Sequence, residues 1–250
     1  MVHLKLEKQR LLLMLKLLSL ESKQPVFFIV KNKKIQSRHY IRNGYKMVLF
    51  KTPFFTDISD EDTILFNTLE FYDYIRKNFR DVSKKELSLD FDYMDDKINI
   101  NTHLISASYP TIIGLGDDCD DVPISFKNGY PIVNDVLLDT HIIVKSKEIM
   151  DFSRCYKKNK TKFSEFELKN GKFLLHLNDT RGNYQHMPFF NVIRGNELSI
   201  KLFQPFMREM MLFNNSKNSF LHIYAKDDYP IWFCEETKEY AVGLLLNQSF

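Results

Sequence analysis

Three cysteines, Cys119, Cys155 and Cys234, are all that this chain of 250 residues carries. They form no CxxC pair and leave an odd count, which argues against a zinc ribbon or a disulfide framework and for a reducing, intracellular compartment. Glycine and proline are sparse too, at 8 each, while apolar residues make up 44%. That excludes disorder and leaves a globular chain long enough for one large domain or two of ordinary size. A membrane-spanning run is also missing. The stretch LLLMLKLL at Leu11–Leu18 is broken by Lys16, flanked by Lys8 and Arg10, and falls far short of the roughly 20 apolar residues needed. No small-residue cleavage site follows it, so it reads as an internal helix of a soluble protein and not as a signal peptide.

Signatures of catalysis are absent as well. The seven histidines (His3, His39, His103, His141, His176, His186 and His222) show no HxxxH or HxH spacing. No GxSxG, no P-loop and no Cys/His pairing points to a nucleophile. Gly114-Leu115-Gly116 lacks the third glycine and the following helix of a dinucleotide site. A calcium loop starting at Asp117 would need Gly at its sixth position and Glu at its twelfth, where Val122 and Asn128 stand. The acids Asp117, Asp118, Asp120 and Asp121 therefore read as a solvated loop. A lone histidine at a strand end, such as His141 or His222, reads as structural. Trp232 and the 12 Tyr and 22 Phe read as core, because most fall on the apolar phase of strands. No enzyme activity, cofactor or metal is expected.

What is present is a fourfold pattern: a short strand, an amphipathic stretch of about three turns, then strands separated by turn signals. The first unit has Val2–Leu6, a helix over Lys8–Leu20 and the strand Val26–Val30. The turn cluster Lys31–Lys34 follows, and further extended chain ends in Tyr45–Phe50. The second has Thr63–Phe66, a helix over Thr68–Arg80, Glu86–Phe91, a turn at Asp95-Asp96 and Lys97–Asn101. The third has Thr140–Val144, a helix entered near Ser146, which with Glu148 behind it reads as a cap and first turn, then Ser164–Leu168 and Lys172–Leu177 about the hairpin signal Asn170-Gly171. The fourth has Glu197–Lys201, a helix over Leu202–Phe213 with Pro205 tolerated in its first turn, and Ser219–Tyr224. A bend at Asp227-Asp228, the strand Ile231–Glu235, a hairpin at Glu236-Thr237-Lys238 and Tyr240–Leu246 complete it. Two units per half give an α+β chain of two similar domains, 1–110 and 135–250. The connector 111–134, acidic and proline-containing, reads as an exposed linker.

Each helix has an apolar face for a sheet: Leu11, Leu12, Leu15 and Leu18 in the first, Ile149 and Met150 in the third, Phe203, Phe206, Met207, Met210 and Phe213 in the fourth. The opposite faces carry Lys16, then Arg76, Lys77 and Arg80, then Lys147, Arg154 and Lys158, then Arg208, with Lys5, Lys8 and Lys157 as marginal additions. By formal charge the helices are +3, +1, +3 and 0, a total of +7 against +3 for the chain, so the remainder is −4. Basic helices on a mildly acidic body suit a phosphate-facing surface. The plain alternative is that exposed helices carry lysine for solubility.

With this pattern the chain resembles the sliding clamps of the proliferating cell nuclear antigen type. The likeness covers essentially the whole chain and is most specific in Phe220–Phe233, where a strand, the acidic bend, the apolar-Pro-apolar turn at Tyr229-Pro230-Ile231 and a strand follow one another. Tyr240–Leu246 is similar to the family's last strand and Val2–Leu20 to its opening. Three features depart from the family. Asn247-Gln248-Ser249-Phe250 replaces an Ala-Pro pair and acidic tail, the connector lacks the apolar-Gly-Ile pattern, and strong negative charge is missing. With the Lys-, Asn- and Ile-rich composition, this points to a viral or otherwise divergent clamp.

The resemblance implies the DNA-clamp fold, two helices per domain on antiparallel sheet, in a ring closed by pairing edge strands, usually of three subunits, around duplex DNA held without regard to sequence. It implies that a DNA polymerase, a clamp loader and other peptide-motif partners dock under the connector beside the C-terminus. Here that means Ile112, Ile113, Leu115, Val122, Pro123 and Ile124 with Leu245, Leu246 and Phe250. The competing readings are a clamp-fold late transcription factor or checkpoint subunit acting as a recruitment platform, and a monomeric or dimeric processivity factor that does not encircle DNA.

Overall fold

The structure is a computed structural model that describes residues 2–19, 25–41, 44–58, 62–80, 86–115, 123–149, 163–179, 182–186, 188, 190–195, 197–203 and 219–247. The chain divides into two compact units. The first is Met1–His39, Met47–Asp121 and Thr237–Ala241, and the second Tyr40–Lys46, Val122–Glu236 and Val242–Phe250. None of the helices among the described residues is long and apolar enough to cross a membrane.

The chain opens with β1 (Val2–Glu7), α1 (Lys8–Leu18), β2 (Val26–Lys31), β3 (Lys34–Ile41), β4 (Gly44–Phe50), β5 (Asp57–Ile58) and β6 (Asp62–Phe66). It continues with α2 (Thr68–Asn78), β7 (Glu86–Asp92), β8 (Lys97–Asn101), β9 (Ser106–Pro110) and β10 (Gly114–Leu115). In the first unit one sheet runs β5-β1-β7-β8-β9 and another β10-β6-β2-β3-β4. The register between β1 and β7 sets Leu4 opposite Leu89 and Leu6 opposite Leu87. Because side chains alternate along a strand, this puts an unbroken apolar face inward. Phe28 of β2, Phe66 of β6, Phe71 of α2 and Phe91 of β7 meet edge to face, with ring centres 5.4–6.0 Å apart, and tie both sheets and a helix into one core.

The helices are fixed by local chemistry. Asn67 caps α2, its side chain accepting a hydrogen bond from the Glu70 amide at 3.1 Å. Ser19 closes α1, its hydroxyl donating to the Leu15 carbonyl at 2.6 Å and lying 3.1 Å from Thr68 Oγ1 at the start of α2. At the other end Lys8, buried at the start of α1, donates to the carbonyls of Phe79 and Arg80 just past α2. The two helices are therefore antiparallel neighbours, each end of one tied to the opposite end of the other.

The second unit holds β11 (Ile124–Lys127), β12 (Tyr130–Val133), β13 (Val136–Leu137), β14 (Thr140–Lys145), β15 (Phe163–Lys169), β16 (Lys172–Asp179), β17 (Gly182–His186), β18 (Phe190–Arg194), β19 (Leu198–Phe203), β20 (Phe220–Ala225), β21 (Ile231–Glu236) and β22 (Tyr240–Leu246). Its sheets run β17-β16-β15-β19 and β22-β21-β20-β14-β18, with β11-β12-β13 as a small third sheet. Phe166 stacks on Phe173 at 6.1 Å and meets Phe233 at 5.8 Å, joining the four-stranded sheet to β21 as the phenylalanine cluster does in the first unit. Residues 146–149 are helical.

Four expectations need correction. Leu202 and Phe203 are the end of β19, paired with Ser164 and Phe163, and not the start of a helix. The alternation Leu198, Ile200, Leu202 carries the strand two residues beyond Lys201. The rest of that expected helix, and Arg208 on it, lie outside the described residues. Ser146 is not a cap: its hydroxyl is buried without a hydrogen-bond partner among the described residues. The region read as an exposed linker carries strands β10, β11 and β12. Lys8, finally, is buried as the cap of α2 and is not part of a phosphate-facing surface.

Replacing Lys8 with Met keeps the apolar stem and removes the donor. Urea unfolding of Lys8→Met is expected to show a loss of about 1–2 kcal/mol, whereas Lys16→Met on the exposed face should stay within about 0.5 kcal/mol of the parent.

Candidate nucleic-acid interface

The face of the helix pair turned away from the sheets carries Lys16 on α1, Arg76 and Lys77 in the last turn of α2, and Arg80 just beyond it, all exposed. Arg76 and Lys77 make no ion pair among the described residues. Glu70 and Asp73 are the exposed acids of α2, so four cations stand against two carboxylates. The other bases of the first helix are committed elsewhere. Lys8 caps α2, and Arg10 donates to the carbonyls of Pro53 at 2.9 Å and Phe54 at 3.0 Å and pairs with Glu239. Lys5 lies on β1 and pairs with Glu86 at 3.2 Å. Of the three bases read on the first helix, Lys16 is the exposed one, while Arg10 is half-buried and Lys8 buried. Nothing local in the sequence separates Lys16 from Lys8 and Arg10, because the partners of those two are 43 to 229 residues away. Lys147 is exposed in the second unit, while Arg154, Lys157 and Lys158 lie outside the described residues.

The residues expected to receive a partner peptide are dispersed over both units. Ile112 is 82% exposed, and Ile113 beside it is 5% exposed, its amide donating to Asp96 Oδ1 at 3.1 Å. Leu115 is paired by its backbone with Ile64 across β10 and β6. In the second unit Pro123 is half-buried and Ile124 buried. Leu245 and Leu246 are core residues of β22 at 4% and 0% exposure, because that strand is apolar on both faces from Val242 on. They are not open to a ligand as the chain stands. Val122 and Phe250 lie outside the described residues. Phe126 carries no signal in the sequence, yet it is 53% exposed and meets Trp232 edge-on at 6.2 Å.

A second cluster has no sequence signature either. His141 Nε2 lies 3.1 Å from His222 Nδ1, His141 stacks on Tyr224 at 4.2 Å, and Tyr130 meets His141 and Tyr224 edge-on at 6.0 and 5.8 Å. Arg194 lies over the Tyr130 ring at 5.5 Å. The register explains the meeting, since His141 pairs with Tyr224, and His222 stands two residues along the same face of β20. Burial pulls His141 down to about 4, with the neighbouring His222 adding to the effect. It lowers His222 as well, against the opposing pull of Glu236. Tyr224 is pushed up to about 12, mainly by burial. The two histidines and Tyr224 are thus uncharged at physiological pH, with the Arg194 cation beside them, and among the described residues no three side chains are arranged to ligate a metal.

No family model and no curated protein sequence matches the chain. Solved structures do. The proliferating cellular nuclear antigen of Entamoeba histolytica aligns with TM-score 0.77 at 11% identity, over 100% of this chain and 99% of that one. The PCNA of A. fulgidus, solved with the C-terminal region of FEN-1 bound to it, aligns with TM-score 0.76 at 12% identity and the same coverage. The Thermococcus kodakaraensis PCNA aligns with TM-score 0.72 at 11% identity over the whole of both chains.

The chain has the PCNA sliding-clamp fold. At this identity the clamp fold is carried by strand order, register and the alternation of apolar residues and not by retained individual side chains.

The histidine pair makes stability depend on pH. Both groups have folded values below the ordinary value near 6.5, so the unfolded chain binds more protons. The stabilisation is fully present above about pH 6.5 and is lost as the pH falls toward the folded value of about 4. The urea midpoint is expected to fall between pH 7.5 and 5, with a loss of about 1 kcal/mol. In His141→Phe the dependence should flatten, and an equally steep profile in that variant would place its origin elsewhere.

Proposed function

We propose that this chain is a non-enzymatic DNA sliding clamp, a ring subunit that encircles duplex DNA and tethers a polymerase to it. The observation that supports the reading best is the full-length correspondence to three PCNA structures, joined to a helix pair whose outward face carries Lys16, Arg76, Lys77 and Arg80. A closed ring holds DNA by topology, so its contacts can be weak, mobile and indifferent to base sequence. Phosphate neutralisation by dispersed cations supplies contact of that kind. Lys147, exposed in the second unit, is proposed as a further phosphate contact, and so are Arg154, Lys158 and Arg208.

The sheets offer a means of closing the ring. In the first unit β9 ends its sheet, and in the second β17 ends the four-stranded sheet, each with no further strand among the described residues. Open edges of this kind are normally covered. Pairing β9 of one copy with β17 of the next would cover both and close a homotrimer by a repeated head-to-tail contact. Sedimentation equilibrium of the full chain is expected to give the mass of three copies. A monomer at working concentration would remove the encircling mechanism, and a requirement for a second protein would favour the checkpoint-type platform.

On linear duplex DNA with blocked ends, the triple variant Arg76→Ala/Lys77→Ala/Arg80→Ala is expected to bind more weakly, equally for unrelated sequences. The slope of log affinity against log salt should flatten by about 0.9 for each phosphate no longer neutralised. An unchanged slope would remove α2 from the DNA surface. For partner recruitment, which the FEN-1 segment on the A. fulgidus clamp illustrates, the exposed Ile112 is the connector residue best placed to touch a peptide from a polymerase or loader. Ile112→Ala should weaken such a peptide about three- to tenfold without changing the unfolding midpoint.

A further inference from the structure

Two open depressions meet on the second unit, and no connector residue lines either of them. The first, about 630 Å³, lies between the β15–β16 turn and β18 and is lined by Leu168, Gly171, Phe190, Val192 and Gly195, among others. The second, about 480 Å³, shares Leu168 and Glu197 with it and runs on past Glu167, Lys169, Asp227 and Asp228. One end sets Leu168, Phe190 and Val192 beside Asn170 and Asn191, and the other is acidic, with four carboxylates against one lysine. Glu167 is held by His176 at 3.0 Å and Asp227 accepts from the Ser199 amide at 3.3 Å. Glu197 is exposed and makes no ion pair among the described residues.

Strand β18 forms the wall. It pairs with β14 on one side and, among the described residues, is the last strand of its sheet on the other. Residues 191–194 are all exposed, with Val192 at 37% and Ile193 at 55%. Ile193 sits in a bulge, since His141 faces Arg194 while Ile142 faces Val192. Between Phe190 and Val192 the strand has neither the lysine nor the proline that usually blunts an exposed edge. Nothing lies within 4 Å of where a Cβ on Gly171 would stand, so the turn leaves the mouth of the depression open.

From this arrangement we propose a second docking site, for an extended peptide carrying a bulky apolar residue next to lysines or arginines. The peptide backbone adds to the open edge of β18. Its apolar side chain enters the depression beside Leu168, Phe190 and Val192, and its cations lie along Glu197, Glu167 and Asp228. The carboxylates disfavour a nucleic acid in the same place, because phosphates would meet like charge. The site stands independently of the clamp reading and shares no residue with the connector.

The test uses the full chain and fluorescein-labelled peptides in which Lys-Lys precedes alternating apolar residues and threonine, with Glu-Glu versions as controls, followed by anisotropy. The Lys-Lys peptides are expected to bind and the Glu-Glu peptides to bind at least about tenfold more weakly. Val192→Glu should lower the Lys-Lys affinity about tenfold. Glu197→Lys should lower it too and raise that of the Glu-Glu form, a reversal that loss of folding cannot produce. Ile112→Ala should leave it unchanged. Equal binding of both peptide forms, indifference to both site variants, or a weaker Lys-Lys peptide in Ile112→Ala would overturn the proposal. So would self-association of the chain that Val192→Glu abolishes without peptide, which would seat a second copy on the edge.

Discussion

Aromatic packing between layers is the interaction on which the rest of the first unit depends. Phe28, Phe66 and Phe91 bring two sheets together, and Phe71 brings α2 onto them. Edge-to-face rings of this size bury large apolar areas and tolerate few alternative arrangements. Once Phe71 and Ile75 are committed inward at 0% exposure, helical geometry leaves Asp73, Arg76 and Lys77 no place but the outer face. The candidate DNA surface is thus a consequence of core packing. The second unit repeats the device with Phe166, Phe173 and Phe233.

Electrostatics is layered on that frame in two ways. Some cations are consumed by the fold: Lys8 neutralises the carbonyl end of α2, and Arg10 gathers two carbonyls, a carboxylate and the ring of Phe54 at 5.9 Å. These are partners that a buried or half-buried charge requires. Others remain at the surface, where water screens them and attraction to a polyanion costs little desolvation. A clamp needs the second kind, since tightly held counter-charges would not be available to slide over phosphates.

Sheet edges carry much of what is proposed for assembly. β9, β17 and β18 each end a sheet among the described residues, and each therefore presents backbone donors and acceptors on one side. The proposed ring interface would use β9 and β17, and β18 is among the strands that would still end a sheet. That strand is lined by apolar side chains and sits beside a carboxylate-rich depression, which is the chemistry of a recognition surface more than of a solvated border.

The order of elements is legible in the sequence because it depends on local periodicity. Tyr240–Leu246 is the last strand residue for residue, and the hairpin at Asn170-Gly171 and the turn at Asp227-Asp228 lie where their turn chemistry puts them, Gly171 and Asp228 both at positive φ. On α1 helical spacing finds Leu11, Leu15 and Leu18, but Leu12 is only half-buried, and Met14 and Leu17 are the further core residues. Where local signals run on without a stop, as from Leu198 to Phe203, the sequence does not mark the boundary. The long-range facts are invisible for a plain reason: hydrogen bonds and stacking between residues 43 to 229 positions apart leave no trace in a window of about a dozen residues. Lys8 and Arg10 look like Lys16 until tertiary structure assigns those two to carbonyls, and His141 and His222 look solitary until register sets their rings 5.2 Å apart. Sequence by itself determined the segments whose periodicity is strong and bounded, among them β1, α1, α2 and β20 to β22. Only the tertiary structure decided which charges stay at the surface, because a charge is spent or left over according to what folding brings beside it.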